Sequence, residues 1–266
     1  MEYLEFILYG LIQGATEFIP VSSTAHLKII SLMLGVDDPG TSISAIIQIG
    51  SVIALFWYFR REIFYSNFFK TISNNDYYSR YKLFSSIFIG TIPIVFFGGF
   101  IKLFIPFFFN TYFRSNISIG IMSLLMAFLM YFADNSKNRI LDLNNHSFLS
   151  SLSIGFAQAL AIIPGVSRSG ITISTALLFG WKRRDAAKYS FLLGLPAITL
   201  AALVEFAFSF KQISTINFFP LFIGVITTFI SSLLAIKFVV SYLSSHGLKL
   251  FVYYRIIFGI LILLNL

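Results

Sequence analysis

Cysteine is absent from the 266 residues, which removes disulfides, thiolate metal sites, haem attachment and a cysteine nucleophile together. Any nucleophile must then be Ser, Thr, Asp, His or a water. Charge is scarce as well, at 11% of residues, where a soluble domain carries about a quarter. With 57% hydrophobic residues and a mean hydropathy of +0.85, the shortage of charge excludes an ordinary soluble domain and requires an integral membrane protein. At roughly 20 apolar residues per crossing the length is filled by membrane segments, so a single membrane domain over 1–266 is expected. A basic flank is missing from the first apolar run, residues 6–12, which follows Glu2 and Glu5 and precedes no Ala-x-Ala pattern. It therefore does not read as a removable signal peptide. The net charge of +8 matches the usual basic bias of cytoplasmic loops, so no nucleic-acid partner is expected.

What is present is apolar sequence in a regular order. Runs at 43–59, 83–107 and 117–132, and again at 189–210, 218–240 and 250–266, read as membrane crossings. Residues 4–36 and 148–181 differ: each is two short apolar stretches around a Pro-containing run of small hydroxyl residues. Irregular polar backbone survives at membrane depth only where it lines a protein cavity, so both read as re-entrant helix–loop–helix hairpins. The halves also resemble each other. Gly10-Leu11-Ile12-Gln13 recurs as Gly155-Phe156-Ala157-Gln158, and Pro20-Val21-Ser22-Ser23 as Pro164-Gly165-Val166-Ser167. The fold class expected is an all-α polytopic membrane protein of two repeats, about 1–133 and 148–266, each a re-entrant hairpin plus three transmembrane helices. Three crossings per unit force the second copy to enter the membrane upside down, an inverted-topology repeat whose shared site lies near the midplane.

Basic residues test this topology. The loops 60–82, 133–147, 182–188 and 241–249 fall on one side and hold twelve Lys and Arg, while the opposite loops hold only Arg114 and Lys211. That asymmetry assigns the basic side to the cytoplasm and both termini to the outside.

The hairpin tips carry the residues capable of chemistry. In the first, Gln13 and Glu17 share a helix face, Pro20 ends that helix, and Ser22-Ser23-Thr24 opens the next. Ser23 and His26 are then i, i+3 neighbours, close enough for the imidazole to take the hydroxyl proton directly or through one water. Ser22 and Thr24 also read simply as helix caps. In the second tip, Ser167-Arg168-Ser169-Gly170-Ile171-Thr172 sets a permanent guanidinium among hydroxyls and glycine at a helix start, an anion cradle. Arg168 also reads as a neutralising partner for Glu17. Glu205 reads as a solvated or Lys-paired boundary residue, Gln48 as either functional or packing, and His146 and His246 as loop bystanders. The 33 Phe and 13 Tyr read as lipid-facing bulk and interfacial anchors. A carboxylate, a hydroxyl beside histidine, an arginine and helix N-termini inside a membrane describe phosphoryl transfer from a lipid-borne phosphate. In that chemistry Ser23 attacks phosphorus, His26 accepts its proton, and Arg168 with the backbone amides holds the developing charge, while the carboxylate suits a divalent cation; direct attack by water is the open alternative to Ser23.

At these residues the chain resembles the undecaprenyl-diphosphate phosphatase family linked to bacitracin resistance. The tips match its two signatures, (Glu/Gln)-x-x-x-Glu leading into Pro-x-Ser-Ser-x-x-His, and Pro-Gly-x-Ser-Arg-Ser-x-x-Thr. Ile47-Gln48-Ile49-Gly50, Gly90-Thr91-Ile92-Pro93 and Tyr189-Ser190-Phe191-Leu192-Leu193 extend the likeness along essentially the whole chain. The resemblance implies hydrolysis of undecaprenyl diphosphate to undecaprenyl phosphate and inorganic phosphate, recycling the carrier lipid for peptidoglycan, in a bacterial inner membrane. It also implies a site open to the extracytoplasmic face and dependence on Mg²⁺ or Ca²⁺. Carried over by position, Glu17 is the essential carboxylate and metal ligand, with Gln13 as a second ligand, Ser23 the proposed nucleophile, His26 the catalytic histidine and Arg168 the phosphate-binding arginine. Ser22, Thr24, Ser167, Ser169 and Thr172 fall on accessory diphosphate-binding positions. Two positions depart from the pattern: Gln13 stands where many members carry a second Glu, which weakens a two-carboxylate metal site, and Ala25 stands where Gly often precedes the histidine. The partners expected are a polyprenyl diphosphate and membrane lipid, with a homodimer as an option.

Two rivals follow from the same residues. Acid-phosphatase-like lipid phosphatases require a Lys-x6-Arg-Pro run and a late His-x3-Asp pair, and neither occurs. A flippase of a polyprenyl phosphate would use the same cradle and the same architecture but would not need the Ser–His pair.

Overall fold

In a bilayer every backbone N–H and C=O must pair within the chain, so apolar runs of this length close into helices. The computed structural model describes residues 2–35, 40–64, 74–136, 138–213 and 217–264, and among these no strand is present. The helices are α1 (Glu2–Phe18), α2 (Ser23–Leu34), α3 (Gly40–Tyr58), α4 (Arg60–Phe64), α5 (Asn74–Phe104), α6 (Pro106–Phe113), α7 (Asn116–Asp134), α8 (Phe148–Ala159), α9 (Arg168–Leu178), α10 (Arg183–Ile213), α11 (Phe218–Ser245) and α12 (Lys249–Leu263). Starts are set by capping: Ser115 and Ser147 accept the backbone N–H groups of Ser118 and Ser150 at 3.2 and 3.0 Å, and Pro106 opens α6.

Among the described residues four stretches are long and apolar enough to cross a membrane: Tyr81–Phe104, Asn116–Asp134, Arg183–Phe208 and Phe218–Ser245. The chain is thus a multi-pass membrane protein. The other two runs read as crossings form the helices α3, of 19 residues, and α12, of 15, which pack against the long helices and are not among those four. One boundary differs from expectation. The run 83–107 does not continue to its end; the helix breaks at Ile105, and Pro106, which has no N–H to extend the ladder, starts the separate helix α6. No residue of α6 is buried. Large apolar side chains such as Phe88, Phe107 and Phe219 stand exposed around the outside, a surface suited to lipid.

Small residues decide where helices meet. α1 lies on α11, and a Cβ on Gly14 would fall 1.9 Å from Ser231 Oγ. α8 lies on α5, where a Cβ on Gly155 would fall 2.5 Å from Gly90 Cα. α7 packs on α12, and α3 on α10 and α11. At one end Asp134, at the close of α7, binds Arg139, Arg183 (Nε 2.7 Å) and the backbone N–H of Leu248 (2.9 Å). Lys182 reaches Asp142 at 2.8 Å and Lys188 reaches Glu62 at 3.6 Å. These bonds bring Glu62, Asp134, Asp142, Lys182, Lys188 and Leu248, from the four base-rich segments, to the same end; Lys70 and Lys137 lie outside the described residues. His146, expected as a loop bystander, is buried there against Trp181 and Tyr189, with Ser86 Oγ 3.1 Å from its Nε2.

Candidate functional site

Two helix breaks build the site. α1 ends at Phe18 ahead of Pro20, and α2 resumes at Ser23; α8 passes through a 3₁₀ turn, Leu160–Ile162, and Pro164 before α9 starts at Arg168. The residue before each new helix is a serine in the left-handed region, Ser22 at φ 80° and Ser167 at φ 69°, and among the described residues no other non-glycine residue has positive φ. Such backbone is held only where its surroundings impose it. Ser22 and Ser167 are 145 residues apart, as are Gln13 and Gln158, whereas Pro20 and Pro164 are 144 apart. The second tip therefore has one more residue between its proline and its turn, which shifts the correspondence read from the prolines by one.

The two tips meet at one carboxylate. Glu17, 7% exposed, accepts Gln13 Nε2 and Ser23 Oγ on Oε2, both at 2.9 Å, and Arg168 Nη2 on Oε1 at 3.1 Å. Three donors on two oxygens satisfy a charge that could not otherwise remain in the protein interior. Arg168 also donates to the Ser190 carbonyl at 3.3 Å, its guanidinium faces the Phe18 ring at 5.9 Å, and its Nε is buried with no hydrogen-bond partner. That Nε–H is an unmet donor, the kind of group an incoming phosphate oxygen satisfies. Ser23, Thr24 and Gln13 line a cavity of about 200 Å³ together with Gln48 and Glu205. Of the two states read for Glu205, solvated or Lys-paired, the structure has the second, with Lys102.

Other expected residues sit differently. His26 does not bond Ser23: its Nδ1 lies 2.7 Å from the Ser22 carbonyl and its Nε2 2.5 Å from Tyr254 Oη. The i, i+3 spacing sets the two side chains on neighbouring lines of α2, but Ser23 turns toward the carboxylate and His26 toward α12. The group that accepts the Ser23 hydroxyl is therefore Glu17 rather than the imidazole. Ser167 caps α9, its Oγ 3.2 Å from the Gly170 N–H. Ser169 donates to the Ile19 carbonyl at 3.3 Å and ties tip to tip. Thr172 donates to the Arg168 carbonyl at 2.7 Å and lies 2.6 Å from Ser190 Oγ. These buried hydroxyls brace Arg168 instead of facing the cavity.

Three contributors are given no role by the sequence reading, although Ser190 lies in one of its family-like segments. Ser190 and Gly194 of α10 flank the guanidinium of Arg168. Arg255 of α12 is fully buried and donates to the carbonyls of Pro20 (3.3 Å), Ser123 (3.3 Å) and Gly165, joining both tips from behind. A basic residue inside an apolar crossing was the available signal.

Among the described residues no three His, Asp or Glu side chains gather as metal ligands. Glu17 offers the carboxylate oxygen that a cation shared with a diphosphate would use, since Mg²⁺ is commonly held by one or two carboxylates plus phosphate oxygens and water. Oε1, with one donor, has a lone pair left for it.

Comparison with known proteins places the chain. The family described as "Bacitracin resistance protein BacA" matches residues 6–261. A protein named undecaprenyl-diphosphatase from Prochlorococcus marinus (strain MIT 9215) is 63% identical over 268 residues, covering 100% of both chains. One of the same name from Prochlorococcus marinus (strain MIT 9515) is 62% identical over 272 residues, again covering 100% of both. Another from Trichodesmium erythraeum (strain IMS101) is 45% identical over 264 residues, covering 98% of this chain and 85% of its own.

Proposed function

The chain belongs to the bacitracin resistance protein BacA family, and on that footing we propose that it hydrolyses undecaprenyl diphosphate to undecaprenyl phosphate and inorganic phosphate. It thereby recycles the lipid carrier for peptidoglycan synthesis and confers bacitracin resistance. The observation that carries this reading is the junction at Glu17, where the carboxylate accepts the Ser23 hydroxyl from one tip and Arg168 from the other.

That junction can run a substitution at phosphorus. The terminal phosphate of the lipid diphosphate enters beside Ser23 and Thr24 and takes the donors of Arg168, including the unmet Nε–H. As Arg168 turns to phosphate, Glu17 Oε1 is released from its ion pair while Oε2 stays on the Ser23 hydroxyl. Ser23 Oγ forms a bond to the terminal phosphorus, its proton passes to Glu17 Oε2, and the bond to the bridging oxygen breaks. Undecaprenyl phosphate leaves as an anion and needs no proton. Water then cleaves the phosphoserine to inorganic phosphate, and Glu17 returns its proton to Ser23 Oγ. A bound Mg²⁺ or Ca²⁺, held by Glu17 with Gln13, would supply charge neutralisation on the phosphate oxygens. His26 keeps the Ser22–Ser23 turn in place.

The architecture in this reading is a single domain of two inverted repeats, about 1–133 and 148–266. Reciprocal packing supports it: the first hairpin's α1 lies on α11 and the second hairpin's α8 on α5, with α7 against α12 and α3 against α10 between them. With the basic loops cytoplasmic, both termini and the cavity mouth face outward.

The test is phosphate release from undecaprenyl diphosphate by purified protein in detergent, with Mg²⁺, with Ca²⁺ and with EDTA. Cation-dependent release supports the phosphatase; a well-folded protein that releases none under any cation defeats it and favours lipid transport.

A further inference from the structure

Ser22 and Ser167 impose the same need at the two tips, and the protein meets it in two ways. Ser167 is held by its own hydroxyl, which accepts the Gly170 N–H. Ser22 makes no such side-chain cap. Its carbonyl is gripped instead by His26, through Nδ1 at 2.7 Å and the backbone N–H at 3.3 Å. The residue 145 positions after His26 is Ile171, which has no polar side-chain atom to offer.

The bond to Ser22 fixes the histidine's protonation pattern. A carbonyl can only accept, so Nδ1 carries the proton and the neutral ring leaves a lone pair on Nε2. Tyr254 Oη, 2.5 Å away, donates to it. Phe258 stacks on the ring at 4.2 Å and 7°, and Tyr254 stacks at 5.6 Å and 13°, so the imidazole cannot turn without leaving both.

We propose that Tyr254 is a positioning residue of the reaction: its hydroxyl locks His26 as the Nδ1–H tautomer, and that tautomer holds the left-handed turn at Ser22 that presents Ser23 to Glu17. The neighbouring Arg255 fixes where the tips lie, while Tyr254 fixes how the first one is bent. In Tyr254→Phe the stacking ring stays and only the donor to Nε2 is lost, so the Ser22 carbonyl alone is left to favour the Nδ1–H form and the grip on it loosens.

Histidine ring ¹⁵N NMR on the full-length protein reads this directly, because the chain has only three histidines and His26→Gln identifies the signal. The wild type is expected to show His26 as the Nδ1–H tautomer and Tyr254→Phe a mixture of tautomers. The kinetic arm rests on the phosphatase reading: Tyr254→Phe lowers kcat about 10-fold with KM within about twofold, as loss of a partner orienting an imidazole does. Because it acts through His26, adding Tyr254→Phe to His26→Gln costs less than about twofold more. An Nε2–H tautomer in the wild type, an unchanged tautomer and kcat in Tyr254→Phe, or a full second loss in the double variant would overturn the proposal. If the wild type releases no phosphate, the phosphatase reading fails, while the ring-nitrogen signals still decide the tautomer.

Discussion

The guanidinium of Arg168 occupies the space a side chain on Gly194 would fill: a Cβ there would lie 1.8 Å from Arg168 Nη1 and 2.5 Å from Cζ. Gly194→Ala therefore pushes the arginine off Glu17 and off the Ser190 carbonyl without touching either. Misplacing a binding group by about 1 Å costs on the order of 10²-fold, so kcat/KM for undecaprenyl diphosphate should fall by that amount. Gly194→Ala with wild-type kinetics would mean that Arg168 does not act from this position.

Arg255 serves both tips from one buried guanidinium. Arg255→Met keeps much of the volume but leaves the carbonyls of Pro20 and Gly165 without a donor, and each buried orphan costs about 1–3 kcal/mol. The variant should melt earlier in detergent and lose phosphatase activity. Arg255→Lys, which cannot reach three carbonyls at once, should recover part of the stability and little of the activity.

At the basic end, burial of His146, with Lys82 nearby, holds its imidazole below the ordinary histidine value. The neutral form is then favoured in the folded protein, and below about 6.5 the unfolded chain binds more protons than the folded one. Stability from this residue is present above that pH and is lost as pH falls through it. Thermal unfolding in detergent should show an acid-side decline that His146→Gln reduces; an identical pH profile in the variant would remove His146 as its source.

Much of this protein is legible in its sequence because a bilayer leaves the backbone few options. The two helix breaks stand where Pro20 and Pro164 interrupt the apolar runs of the sequence, and Glu17 and Arg168 announce themselves as charges amid apolar residues. What sequence spacing could not convey is direction. Ser23 and His26 are one turn apart, yet the carboxylate of Glu17 draws one and Tyr254 the other. Tyr254 and Arg255 are more than two hundred residues from the first tip, and only the packing of α12 beside α2 and α7 brings them there. Ser169 and Thr172 have the chemistry of anion ligands, but burial against Ile19 and Ser190 turns them into braces.

The proposed chemistry turns on Ser23, activated by Glu17, attacking the terminal phosphorus. Rapid acid quench of the enzyme turning over undecaprenyl diphosphate labelled in the terminal phosphate, wild type beside Ser23→Ala, decides it. Attack by Ser23 predicts label on that residue in the wild type, none in the variant, and a rate of hydrolysis in the variant lower by a factor on the order of 10³ or more. Hydrolysis by Ser23→Ala at the wild-type rate, with no labelled wild-type protein, would contradict it.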